Sequence, residues 1–151
     1  MKLQRTALVL TLVCMGLART ALAQSAAGPV PQDDSLYRAL GQKTGLVALM
    51  EVFVPALKAD PRIGAQFKDT KTSYLQQQLV DQFCVVSGGP CVYDGASMKE
   101  SHTGLQIDKA DFNRLVEVLQ TSMDARDIPF AIQNKLLARL APMHRDVITV
   151  K

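Results

Sequence analysis

The apolar positions of the chain fall into stripes at helical spacing. From Gly45 onward, Leu46, Leu49, Met50, Phe53 and Leu57 lie at i, i+3, i+4, i+7 and i+11, which sets them along one face of an amphipathic helix. Pro55 falls inside that stripe. It cannot donate to the Glu51 carbonyl and its ring crowds that oxygen, so a kink or an early helix end is expected there. Asp60-Pro61 then marks a turn. Beyond Asp69 and Thr70, a second stripe of Leu75, Leu79, Phe83 and Val86 is surrounded by Gln76, Gln77, Gln78 and Gln82, and Gly88-Gly89-Pro90 ends it. A short helical piece is expected from about Ala96 to Gly104. Asp108 caps a helix carrying Phe112, Leu115, Leu119 and Met123, and Pro129 opens a last one carrying Ile132, Leu136, Leu140 and Met143. Ahead of all these, Asp33, Asp34 and Ser35 offer caps for a short helix with Leu36, Tyr37 and Leu40, ending near Gly41. No stretch alternates with the two-residue period of a strand. The pattern predicts an all-α fold with short connections and no internal repeat.

The first residues follow a different pattern. Lys2 and Arg5 precede an apolar run from Ala7 to Ala18, broken only by Thr11 and Gly16, and Ala21-Leu22-Ala23 stands before Gln24. This is the layout of a secretory signal peptide over residues 1–23 with an A-x-A cleavage site. Arg19 ends the run short of the roughly 20 apolar residues a membrane span needs, so no stable membrane span is expected. Lipid anchoring at Cys14 is disfavoured because Val13 stands where that processing wants a small residue. The reading is of an exported chain, periplasmic or secreted. Residues 24–32 (QSAAGPVPQ) are small, polar and proline-containing and read as a flexible tether, leaving 33–151 as one domain.

Cleavage changes the charge balance. Of 17 basic residues, the leader takes Lys2, Arg5 and Arg19 and no acidic one, leaving 14 against 14 acidic. The precursor's excess of basic residues therefore gives no support to a nucleic-acid or anionic-membrane partner. Three cysteines become two, Cys84 and Cys91. An even pair in an oxidising compartment points to a disulfide, with two buried thiols as the other reading.

Candidate chemistry is sparse. The glycines at 88 and 89 follow a helix, where a phosphate-cradling loop precedes one, and no His/Cys cluster has structural-zinc spacing. Of the two histidines, His144 beside Arg145 and Asp146 suits a surface role. His102, among Met98, Leu105 and Ile107, is by composition either a hydrogen-bonded structural group or a metal ligand.

Taken in order, the segments resemble the group I truncated haemoglobins from Leu36 to about Val150. The resemblance rests on Leu36-Tyr37 with Leu40-Gly41, Phe53 followed by Ala59-Asp60-Pro61, Phe67, Gly88-Gly89-Pro90, Tyr93, Gly95, Met98, His102, Ile107, Phe112 and Leu140-Ala141-Pro142. It implies a two-over-two helical sandwich around haem b, with His102 as the proximal iron ligand and Phe67 packed on the porphyrin. Leu75, Gln78, Leu79, Phe83, Met98, Ile107, Phe112 and Leu115 then line the cofactor pocket, and Phe53, Val54, Leu75 and Leu79 face the gas. The implied partners are a diatomic gas (O2, CO or NO) and a reductase or electron donor that the sequence does not identify.

The gas-binding side departs from the family. Many relatives carry a tyrosine where Val54 stands and a glutamine at the position of Leu75, Leu79 or both. None of these three residues donates a hydrogen bond, so an apolar distal pocket is expected. Gln78, on the flank of that helix, is the candidate polar exception, with Gln82 and Tyr74 behind it. Storage, sensing, nitric oxide dioxygenation and peroxidase-like chemistry all stay open on these residues. The reading from a different class is a haem-free, globin-shaped interaction module.

Overall fold

The computed structural model describes residues 33–150; the leader, the tether and Cys14 lie outside them. Seven α-helices and two 3-10 turns make up the described chain, with no strand among these residues. Helix α1 (Ser35–Ala39) is followed after Gly41 by α2 (Gln42–Ala59). Gly41 has φ +80°, a left-handed conformation that only glycine adopts without strain, and this lets two helices meet with almost no linker. Helix α2 runs through Pro55 and does not end there. Pro55 and Glu51 are both exposed, so water can take up the carbonyl that the missing N–H leaves free.

A turn at Asp60 and a 3-10 segment (Gly64–Phe67) lead to α3 (Thr72–Val86), whose N-cap position is Lys71. Helix α4 (Met98–His102) is followed by α5 (Lys109–Asp124) and α6 (Phe130–Leu140). The last predicted helix is shorter than its apolar stripe. Pro142 has no N–H for the Ala138 carbonyl, so the chain tightens into a 3-10 turn (Ala141–Met143) before α7 (His144–Val147).

Helix α2 is the spine, packed on α3 and on α5, while α6 closes against α1 and α3. Its stripe of Leu46, Leu49, Met50, Phe53 and Leu57 is fully buried, as are Phe83, Leu119, Met123 and Leu136 from the other helices. Of the periodic residues that are only half-buried, Leu75, Leu79, Phe112, Leu115, Leu140 and Met143 face one cleft, whereas Val86 and Ile132 pack against the core. Gly88 (φ +88°) ends α3, and the Ser87 carbonyl accepts the Tyr37 N–H, so α1 docks on the end of α3 with no room for a side chain at 88.

Asp60 fixes the turn beneath the cleft. Its side chain is 3% exposed and accepts from Arg114 Nε at 2.8 Å and from the N–H groups of Arg62 (3.0 Å) and Ile63 (3.2 Å). Burial pushes its pKa up, but the Arg114 bond and the two backbone bonds outweigh this and hold it below the usual carboxylate value. A carboxyl lowered in this way contributes stability above its unfolded pKa and loses it as pH falls through the folded value. Melting curves should therefore show acid destabilisation setting in below about pH 4. Asp60→Asn should melt lower at neutral pH and show less of that acid loss; an unaltered profile would remove the role given to this turn.

A candidate haem cleft

The cleft has a volume of about 500 Å³ and is lined mainly by apolar side chains. One wall is α3, which presents Leu75, Gln78, Leu79, Gln82 and Phe83. The facing wall comes from α4, with Met98 and His102, and the segment after it, with Leu105 and Ile107. Phe112, Leu115 and Leu119 of α5 and Phe67 of the 3-10 segment complete the shape, with Phe53 reaching in from α2. The structure thus brings together every sequence-predicted pocket residue except Val54. Val54 is fully buried in the core of α2 and is not among the lining residues, so the distal expectation for it is corrected. Its neighbour Phe53 takes the inward direction.

Helix α4 is only five residues long and depends on its cap. Ser97 and Glu100 form a reciprocal capping box: the Glu100 N–H donates to the serine Oγ at 3.2 Å, and the Ser97 N–H to the glutamate Oε2 at 3.0 Å. The S-x-x-E spacing was the signal in the sequence for where this helix begins. The cap sets Met98 and His102 one turn apart on the cleft side. His102 is half-buried, and its Nδ1 lies 2.6 Å from the Met98 carbonyl oxygen. A carbonyl only accepts, so in the neutral ring Nδ1 carries the proton and Nε2 keeps a free lone pair.

Polar groups sit mostly at the rim. Gln78 Oε1 packs against Gly95, where a Cβ would stand 2.2 Å from it, beside the Tyr93 ring. Burial, with Tyr74 and Asp94 alongside, raises the Tyr93 pKa, so its hydroxyl stays protonated and donates to the Ala96 carbonyl at 2.9 Å. Tyr74 lines the mouth and is largely exposed. His144 is exposed, as expected, and meets Phe112 edge-on with ring centroids 6.0 Å apart. Cys84, in the last turn of α3, has its sulfur 2.00 Å from that of Cys91, with Cα atoms 5.9 Å apart.

Several lining residues are not among the pocket residues expected from the sequence. Leu57, Ile63, Leu137, Leu140, Met143 and Val147 reach the cleft from helix ends and turns. Leu57, Leu140 and Met143 stood in apolar stripes, but periodicity does not say which end of a stripe meets a cavity.

The donor set defines the chemistry. Among the described residues no three His, Cys, Asp or Glu side chains gather to hold a metal ion. A single oriented imidazole over an apolar slot fits a metal whose remaining ligands come from a planar apolar macrocycle. The half-buried leucines and phenylalanines are the surface such a ring would cover. A helical sandwich closing this kind of cleft over one histidine defines a globin. Residues 35–149 match the bacterial-like globin family, and the chain belongs to it.

Within that family it is a truncated haemoglobin of group I. It is 28% identical over 115 residues, 76% of this chain and 85% of the relative, to the group 1 truncated haemoglobin GlbN of Mycolicibacterium paratuberculosis. It is 25% identical over 114 residues to that of Tetrahymena pyriformis, covering 76% of this chain and 94% of the relative. The crystal structure of the Tetrahymena pyriformis protein in its Fe(III) form superposes with a TM-score of 0.72 at 25% identity, covering 75% of this chain and 97% of the other. The 2/2 haemoglobin of Synechococcus sp. PCC 7002, solved in the cyanomet state with covalently attached haem, shares the fold at a TM-score of 0.71 and 20% identity, covering 76% and 98%. Globin membership implies haem, and the cleft residues fit it.

Proposed function

We propose that this globin holds haem b in the cleft, with His102 Nε2 as the iron's protein ligand, and binds a diatomic gas (O2, CO or NO) reversibly on the α3 side. The observation that carries this is the oriented His102 ring opening onto the apolar slot. The haem supplies a ferrous centre to which such a gas binds. The protein's part is to orient the imidazole through the Met98 carbonyl, to exclude water with Leu75, Leu79, Phe83 and Phe112, and to pack Phe67 against the ring. Leu75 and Leu79 offer the gas no hydrogen bond. This favours quick exchange over long retention. Titrating the protein with haem should give an intense Soret band saturating at one equivalent, and after reduction the band should shift reversibly with carbon monoxide. A folded protein that stays colourless would refute the proposal.

The reading extends to the compartment. Residues 1–23 fit a cleaved leader, and the Cys84–Cys91 pair fits an oxidising location, where the bridge acts as a staple between the end of α3 and the loop that leads to α4. Its loop is short, and in the chain-entropy model it contributes roughly 2–3 kcal/mol. Among the described residues no helix is long and apolar enough to cross a membrane. Protein recovered from the periplasm or medium should begin at Gln24 and resist thiol alkylation until reduced. An intact leader, or free thiols at 84 and 91, would overturn this part.

A further inference from the structure

Five polar residues are buried in the described chain: Asp60, Gln82, Ser87, Ser122 and Gln133. Four have strong acceptors or donors. Asp60 meets Arg114, Ser87 and Ser122 donate to carbonyls one turn back, and Gln133 donates to Asp124 and to the Ile128 carbonyl. Gln82 is the exception, and of the five it alone lines the cleft. Its Nε2 reaches two thioether sulfurs, Met98 Sδ at 3.0 Å and Met143 Sδ at 3.6 Å. Sulfur is a weak acceptor, and a buried amide so thinly matched is unfavourable where a leucine would fill the space without loss.

The placement gives the amide a task. Gln82 stands on α3, and Met98 opens α4 on the facing wall. Met98 is also the residue whose carbonyl takes the Nδ1 proton of His102 at 2.6 Å. A five-residue helix has little rigidity of its own. Its first inward side chain is held from α3 by Gln82, whose amide is itself steadied by reaching Met143 on the 3-10 turn.

From this line of contacts we infer that Gln82 is a positioning residue for the iron ligand: by fixing Met98 it fixes the carbonyl that sets the rotation of the His102 ring. The amide thereby links the gas-side helix to the ligand on the opposite face. The inference rests on the haem reading above and gives that site a control point. It also assigns Gln82 to the proximal ligand and not to the gas.

The test uses haem-loaded, reduced wild-type protein, Gln82→Leu, Met98→Leu and the double variant. Resonance Raman scattering reads the iron–histidine stretch, and infrared absorption reads the C–O stretch with carbon monoxide bound. Each single variant should shift the iron–histidine band, and the double variant should shift it no further than the larger single effect, as for two residues on one line. The C–O band should stay in place in all four. Haem release to an acceptor globin should speed up by about tenfold, the lower end for groups that orient a metal ligand. An unmoved iron–histidine band in Gln82→Leu would overturn the inference. So would a C–O shift in that variant, since the amide would then face the gas. Where Gln82→Leu does not fold, Met98→Leu alone decides by the same bands. A wild-type protein that takes up no haem overturns the haem reading itself, and is recognised by the absent Soret band before any variant is measured.

Discussion

Replacing His102 by alanine removes the Soret band. The expectation follows from what else lines the cleft. His102 is its one histidine, for His144 is exposed and outside the lining. The donors left behind are thioethers, amides, hydroxyls and the Asp111 carboxylate, whose oxygens already accept from Arg62 Nε and the Asp108 N–H, and none of them replaces a neutral imidazole as a ligand to haem iron in a site shaped for one. The helices should remain, because His102 ends a five-residue helix and contributes nothing to the core of α2, α3 and α5. Circular dichroism should therefore show a folded protein with little or no bound haem. Imidazole added from solution should restore part of the band by occupying the space the side chain leaves. His144→Ala serves as the control and should keep full haem. A Soret band of native intensity in His102→Ala would show that the iron is held by another group.

The second large effect is a gain. Placing glutamine at Leu75 or Leu79 should slow O2 release by roughly 10- to 150-fold. O2 held at a ferrous centre carries partial negative charge, and a hydrogen bond to a charged group is worth roughly 1.5–3 kcal/mol, with each 1.4 kcal/mol a factor of ten. Both leucines are half-buried on the cleft wall of α3, so an amide at either position starts from a side chain already directed inward. Carbon monoxide, less polar when bound, should change far less. The ratio of the two effects separates a new hydrogen bond from a general narrowing of the pocket. Stopped-flow or flash-photolysis rates provide the measurement. Slow O2 release in the wild type that disappears in Gln78→Leu would place a donor at the gas already and overturn the apolar reading.

Much of this architecture was legible because the helices obey their periods. The α2 stripe from Leu46 to Leu57 and the α5 stripe from Phe112 to Met123 are buried or face the cleft as their spacing requires. The departures are local and have causes. Pro55 does not stop α2 because the carbonyl it frees faces water, whereas Pro142 does stop α6, in the last turn where a tighter helix is available. Val54 shows the limit of register. A residue next to Phe53 is rotated about 100° around the helix, enough to turn it from the cleft into the core. His102 could not be told from a structural histidine by its surroundings alone. The family resemblance singled it out as the candidate ligand, and the Met98 carbonyl is the physical reason that the free nitrogen of its neutral ring is Nε2. Gln82 was legible only as a reserve polar group behind Gln78, since nothing in a one-dimensional pattern marks an amide that reaches across to two sulfurs.

The segment that follows α7 bears on how the cleft is closed. The Ile107 N–H donates to Thr149 Oγ1 at 2.9 Å, and its carbonyl accepts from the N–H groups of Thr149 at 3.0 Å and Val150 at 3.2 Å, while Val147 lines the cleft. Ile107 stands just past the loop that follows His102. The wall beside His102 is therefore held by a contact between residues 42 apart in sequence, so closing it has to wait for a long-range docking that the local helices do not need.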